Sequence, residues 1–190
     1  MRLLRRRPSL PADQRDGLRT AMGTPVRPLA VATGPDPAVP GAVRYVVALP
    51  THLAYGSATD WTTVAWDQID RGSWNGETST LEVDQRGPVT SLGEEVGGIV
   101  ERTGRRHRIR LEHPERVAQV MAERVAATIL LHRSLTIPDR SAGVTVVTRR
   151  SLVDQSINWL AVPGRGLRAD DPDVRSFAAA ALRRLRREFA

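Results

Sequence analysis

The sequence predicts an α+β protein: an antiparallel β-barrel or sandwich of short strands capped by a helix, with a C-terminal β-hairpin-plus-helix extension. Three observations predict it. Short runs rich in Val, Thr, Tyr and Trp recur between Gly, Pro and Asp turns over residues 27–112. One run of helical periodicity, residues 113–133, follows them. A second strand, strand and helix series then fills residues 143–190.

The elements follow in order. Residues 1–10 read as a basic, frayed segment, and residues 11–22 as a short helix. Residues 27–34 read as a strand. Pro35, Pro37 and Pro40 make 35–41 a loop, because three prolines cannot sit in a central strand. Residues 43–58 read as two strands broken near Leu49-Pro50. Strands at 62–66, 69–74, 79–85, 89–92 and 107–112 complete the series. The helix over 113–133 carries Val117, Val120, Met121, Val125, Ala127 and Leu131 on one face, and Pro114 suits its first turn. Strands at 143–150 and 158–162 precede the last helix. There Asp171 is placed to cap and Pro172 to open the first turn, ahead of an apolar stripe of Val174, Phe177, Ala178, Ala181, Leu185 and Phe189. The domain reading is a basic segment and helix at 1–24, barrel and capping helix at 25–135, and an extension at 136–190 packed on the barrel.

Composition narrows the function. The chain has 190 residues, 41% of them hydrophobic, enough for a real core. Its longest apolar run, residues 125–131, falls far short of the roughly 20 residues of a membrane span. The start has basic residues without an apolar stretch behind them, so it does not read as a secretory signal. Cysteine is absent, which excludes disulfide and thiolate chemistry and fits a cytoplasmic protein. The formal charge is +7, yet the chain lacks lysine, so all 28 basic residues are arginine. That usage, with so much Ala, Val, Gly and Pro, matches a GC-rich bacterial genome, and a basic solvated surface is the simpler reading. Aromatic residues make up 4%, too few for a single-strand stacking platform.

Residues 66–83 hold two of the four tryptophans. Asn75-Gly76 is a hairpin signal. A three-residue loop, 75–77 with Gly76 left-handed, places Ile69, Leu81 and Val83 on one face, and one buried face fixes register. Trp74 then points to the outer face. It is either covered by the C-terminal extension or is a partner contact. Asp60, Asp67 and Asp70 read as turn and edge residues.

The phrases "YVVALPTHLAYG" and "VAWDQIDRGSW…TSTLEV", with the long helix after them, resemble a bacterial pleckstrin-homology-like domain over about residues 27–133, carried by Trp66, Ile69, Leu81 and Val83. The resemblance implies a bent, partly open barrel capped by a C-terminal helix, and a binding or scaffold role. It implies basic residues in the first loop of lipid-binding members. The matching loop here has Asp36 and no basic residue, which counts against phosphoinositide binding.

Catalytic signatures are missing from the sequence. His52, His107, His113 and His132 have no zinc-hydrolase spacing, and no Gly-x-Ser-x-Gly elbow or phosphate-binding loop occurs. No catalytic, cofactor-binding or metal residues are assigned, and no cofactor is expected. Arg124 lies inside the helix stripe. It either snorkels to the rim, pairs with a carboxylate such as Asp67 or Asp70, or lines an anion pocket. Arginine clusters occur at 2–7, 102–110, 149–150 and 183–187; alternation puts Arg106, Arg108 and Arg110 on one strand face. The candidate partner or anion contacts are therefore Trp74, Arg124, Arg106, Arg108 and Arg110. The expected function is a non-enzymatic binding or scaffold module for an unidentified protein partner. A basic nucleic-acid- or ribosome-associated protein is the first alternative and an enzyme with an unrecognised site the second.

Overall fold

The computed structural model describes residues 9–101, 104–112 and 114–189. The fold is mixed α+β with antiparallel sheets and a C-terminal helix. The chain divides into two compact units, one of residues 1–84 and 106–126, the other of 85–105 and 127–190. The sequence reading places a boundary near 135, whereas the compact units divide near residues 84, 105 and 126. The second unit starts earlier, and it also takes a segment from the middle of the strand series.

The first unit opens with helix α1 (Ala12–Met22), ended by left-handed Gly23. Four strands follow in a meander: β1 (Ala30–Pro35), β2 (Val43–Ala48), β3 (His52–Ser57) and β4 (Asp60–Ala65). Each pairs with the next in an antiparallel register, for example Val47 with Val31 and Ala54. Strand alternation sorts the side chains into two faces. One face, with Val47 and Ala54, joins Leu10 and Leu18 in a core that Val31, Tyr45 and Trp61 flank. The other face carries Ala32, Val46, Leu53, Tyr55 and Val64, all buried.

A single turn of 3₁₀ helix, Trp66–Gln68, leads into a second sheet of β5 (Ile69–Asn75), β6 (Thr80–Gln85) and a strand at Arg106–Arg110. Leu81 pairs with Ile109 and Val83 with His107, so all four side chains share one face. Trp66, Ile69, Leu81 and Val83 are fully buried, as the hydrophobic pattern requires. The Trp66 indole N–H donates to the Leu49 carbonyl at 2.9 Å, which satisfies its one polar group. The turn differs from expectation. It spans residues 76–79, and its left-handed residue is Ser79 (φ 49°), not Gly76. The Asn75 side chain accepts from the Glu77 and Thr78 N–H groups at 3.0 and 3.1 Å, and this local bonding stabilises the longer turn.

The seven strands form two sheets, and among the described residues no closed barrel forms. One bridge, Thr33 to Glu112, joins the corner. The Tyr55 hydroxyl lies 2.7 Å from His107 Nδ1, linking the facing sides.

The second unit is one five-stranded sheet. In chain order its strands are β7 (Val89–Ser91), β8 (Gly98–Val100), β10 (Ile129–Thr136), β11 (Gly143–Arg150) and β12 (Ile157–Pro163), with β9 being the Arg106–Arg110 strand of the first unit. The sheet order is β10-β11-β12-β8-β7, and β12 runs parallel to β8. Helix α2 covers Glu115–Thr128, not 113–133. Beyond it, Leu131 to Thr136 pair residue by residue with β11, so the apolar run at 129–131 opens a strand. Helix α3 (Pro172–Phe189) packs Val174, Ala178, Ala181, Leu182 and Leu185 into a core with Ile99, Val144, Val146 and Ala161. Asp171 caps it, accepting from the Asp173 N–H at 2.9 Å, and Arg140 clamps Asp171 and Asp173.

Candidate functional site

Two of the predicted contact residues come together in the first unit. Trp74, near the end of β5, and Arg110, the last residue of β9, line one cleft of about 550 Å³. Pro35, at the end of β1, lines it too, as do Leu111, Glu112, Pro114 and Glu115 around the start of α2. Trp74 is half-buried, not fully outward. The reason is local. Gly72 shares Trp74's strand parity, and a Cβ at Gly72 would run into the Met121 side chain on α2. That side of β5 therefore faces the helix. The cleft walls are all residues of the first unit.

The cleft holds charges of both signs. Among the described residues Arg110, Glu112 and Glu115 have no ion-pair partner, so one guanidinium and two carboxylates are available beside the indole. The corner that places them is tight. The Glu112 N–H donates to the Thr33 carbonyl at 2.6 Å, and the Leu111 N–H to the Ser79 carbonyl at 2.9 Å.

Arg106 and Arg108 lie on the same strand face as Arg110, as alternation requires, but their charge is largely answered. Arg106 Nε is 2.6 Å from Asp84, and Arg108 Nε is 2.9 Å from Glu82, its cross-strand partner. The Asp84 hydrogen bond, the largest cause, raises the Arg106 pKa further above its already high value. Arg124 is half-exposed on α2 and has no carboxylate partner among the described residues. The stripe position thus resolves as a rim residue, and pairing with Asp67 or Asp70 is not observed. Arginines 2–7 and Arg102 lie outside the described residues. Arg149 is 4% exposed and donates to the Thr128 hydroxyl at 3.1 Å, so the 149–150 pair is not a surface cluster. Arg184 pairs with Glu188 at 2.8 Å.

The sequence reading missed several polar groups. Asp67 is buried, not an edge residue. His52 bonds to the Thr51 hydroxyl at 2.9 Å; burial pushes its imidazole below the usual range, with Asp67 opposing that shift. Alternation supplied a signal for Tyr55 and Arg149. Tyr55 shares strand parity with buried Leu53, and Arg149 with Val147. Among the described residues no group of three or more His, Asp or Glu could hold a metal ion, and no helix is long and apolar enough to cross a membrane. No protein-family model, curated protein or solved structure matches the chain.

Proposed function

We propose that the first unit is a pleckstrin-homology-like binding module that holds a polypeptide partner in the Trp74–Arg110 cleft, without catalysing a reaction. The carrying observation is that a half-buried indole lines one cleft with a guanidinium and two carboxylates that have no ion-pair partner among the described residues. Trp and Arg are the side chains that dominate protein interfaces. Glu112 and Glu115 repel a phosphate backbone and suit a partner that carries basic and apolar side chains. The family reading is supported by the order of four-stranded sheet, three-stranded sheet and helix. The β1–β2 loop adds to it, because its one charge is Asp36, whose carboxylate accepts from the Ala38 N–H at 2.8 Å and holds a turn with no cation for an inositol phosphate. A cytoplasmic setting accords with the absence of cysteine.

The test is affinity capture from bacterial lysate with and without nuclease, using the natural chain and Trp74→Ala. A protein retained after nuclease and lost with Trp74→Ala supports the reading. Capture that disappears with nuclease, and is indifferent to Trp74, supports nucleic-acid association instead.

A further inference from the structure

The second unit carries a cleft of its own, built on different residues. Leu131, Thr148 and Trp159 are neighbours across β10, β11 and β12, and they line a cleft of about 430 Å³ with Ile157, Phe189 and Arg186. Its size is that of a small-molecule site. We propose that it binds a small amphipathic carboxylate, with the apolar body against Leu131, Ile157 and Trp159 and the carboxylate bonded to Arg186 and Thr148.

Three observations point to that chemistry. First, Ile157 is 53% and Phe189 61% exposed, so large apolar side chains meet water around a concave surface. Second, the Arg186 guanidinium lies 5.8 Å from the centre of the Trp159 ring and donates to the Glu95 carbonyl. These contacts fix its position, yet among the described residues no carboxylate pairs with it. Arg184 and Arg133 differ, since both reach Glu188. Third, Thr148 is 3% exposed and its hydroxyl has no hydrogen-bond partner among the described residues. A buried hydroxyl left without a partner is disfavoured, and an acceptor entering the cleft would satisfy it. Arg186 repels a cation, and the apolar walls disfavour a doubly charged phosphate, which leaves a monoanion with an apolar body. The last carbonyls of α3 oppose an anion weakly. Arg183, Arg184, Arg186 and Arg187 against the single Glu188 outweigh them.

The experiment is calorimetric titration of the full chain with octanoate, octanol and octyltrimethylammonium. Saturable binding of octanoate is expected, with octanol about tenfold weaker, as the loss of a charge-assisted hydrogen bond predicts, and the cation not bound. Arg186→Gln should weaken octanoate by about the same factor and leave octanol unchanged, and Ile157→Trp should weaken both by filling the cleft. Octanoate that fails to saturate, octanoate and octanol of equal affinity, or octanoate indifferent to both substitutions overturns the proposal. Circular dichroism checks that each variant folds. If Arg186→Gln does not, the comparison of the three ligands on the natural chain decides. Neither outcome bears on the Trp74 cleft.

Discussion

Gly34 holds the corner on which the Trp74 cleft is built. It sits in β1 where the chain passes the backbone of Arg110 and Leu111, and a Cβ there would fall inside the contact distance of the Arg110 carbonyl. The neighbour is backbone, so it cannot swing aside as a side chain could. Gly34→Ala should therefore cost about 3 kcal/mol, the upper range for overpacking, read as a shift in the urea midpoint. A loss below about 0.5 kcal/mol, the surface value, would show that the corner yields. His52 makes a second prediction. Its folded pKa lies below the ordinary 6.5, chiefly because burial disfavours the imidazolium. The unfolded chain then binds the proton more readily. The contribution is fully present above pH 6.5 and is lost as pH falls from there toward the depressed folded value. His52→Gln should flatten stability over that window, and leave the carboxylate-driven loss at lower pH in place. An unchanged slope between pH 7 and 5 would reject the assignment of that window to His52.

At the scale of elements, legibility followed how local the signal was. Helix α3 was legible because Asp171, Pro172 and the stripe through Leu185 all speak for the same element, and each acts within a few residues. Strand alternation placed Arg106, Arg108 and Arg110 on one face, but the neutralisation of Arg106 and Arg108 depends on Asp84 and Glu82, more than twenty residues earlier in the chain. The end of α2 was not legible. Residues 125–131 are apolar in a run too short for periodicity to separate helix from strand. Pairing with β11 decides it. The turn after Asn75 failed for a different reason. Asn-Gly favours a tight loop, but the Asn75 side chain bonds two following N–H groups and supports four residues instead. Trp74 was misplaced in direction, because the reading took its face from the shorter loop. Thr148 was legible only as a strand residue, and for Arg149 the one signal was its parity with Val147. Their polar situation depends on what covers each face of the sheet, which a single strand does not reveal.

At the scale of the molecule, sequence order and structural unit part company at Asp84. Residues 85–105 leave the three-stranded sheet, supply β7 and β8 to the other unit, and return at Arg106. The reason lies in β8: Gly98 and Ile99 pair with Leu160 and Ala161 of β12, and Ile99 is fully buried in the core under α3. A truncation after Arg140 would therefore remove more than an appendage. It would strip β11, β12 and α3 from β8 and expose an apolar strand edge, a template for aggregation. The opposite dissection should succeed. Asp84 and Arg106 are cross-strand partners, and the Gln85 N–H donates to the Arg105 carbonyl at 2.8 Å, so the two ends are already in hairpin register. Joining Gln85 to Arg105 through Asn-Gly, a two-residue hairpin turn, and ending at Ala126 keeps every strand of both first-unit sheets and all but the last two residues of α2. That shortened chain should fold alone, melt cooperatively, and keep the Trp66 indole buried, seen as blue-shifted emission once Trp61 and Trp74 are replaced by Phe. The chain of residues 1–126, which keeps residues 85–105 but lacks 127–190, should aggregate. If the two chains behave alike, 85–105 belongs with the first unit and the division at Asp84 is wrong.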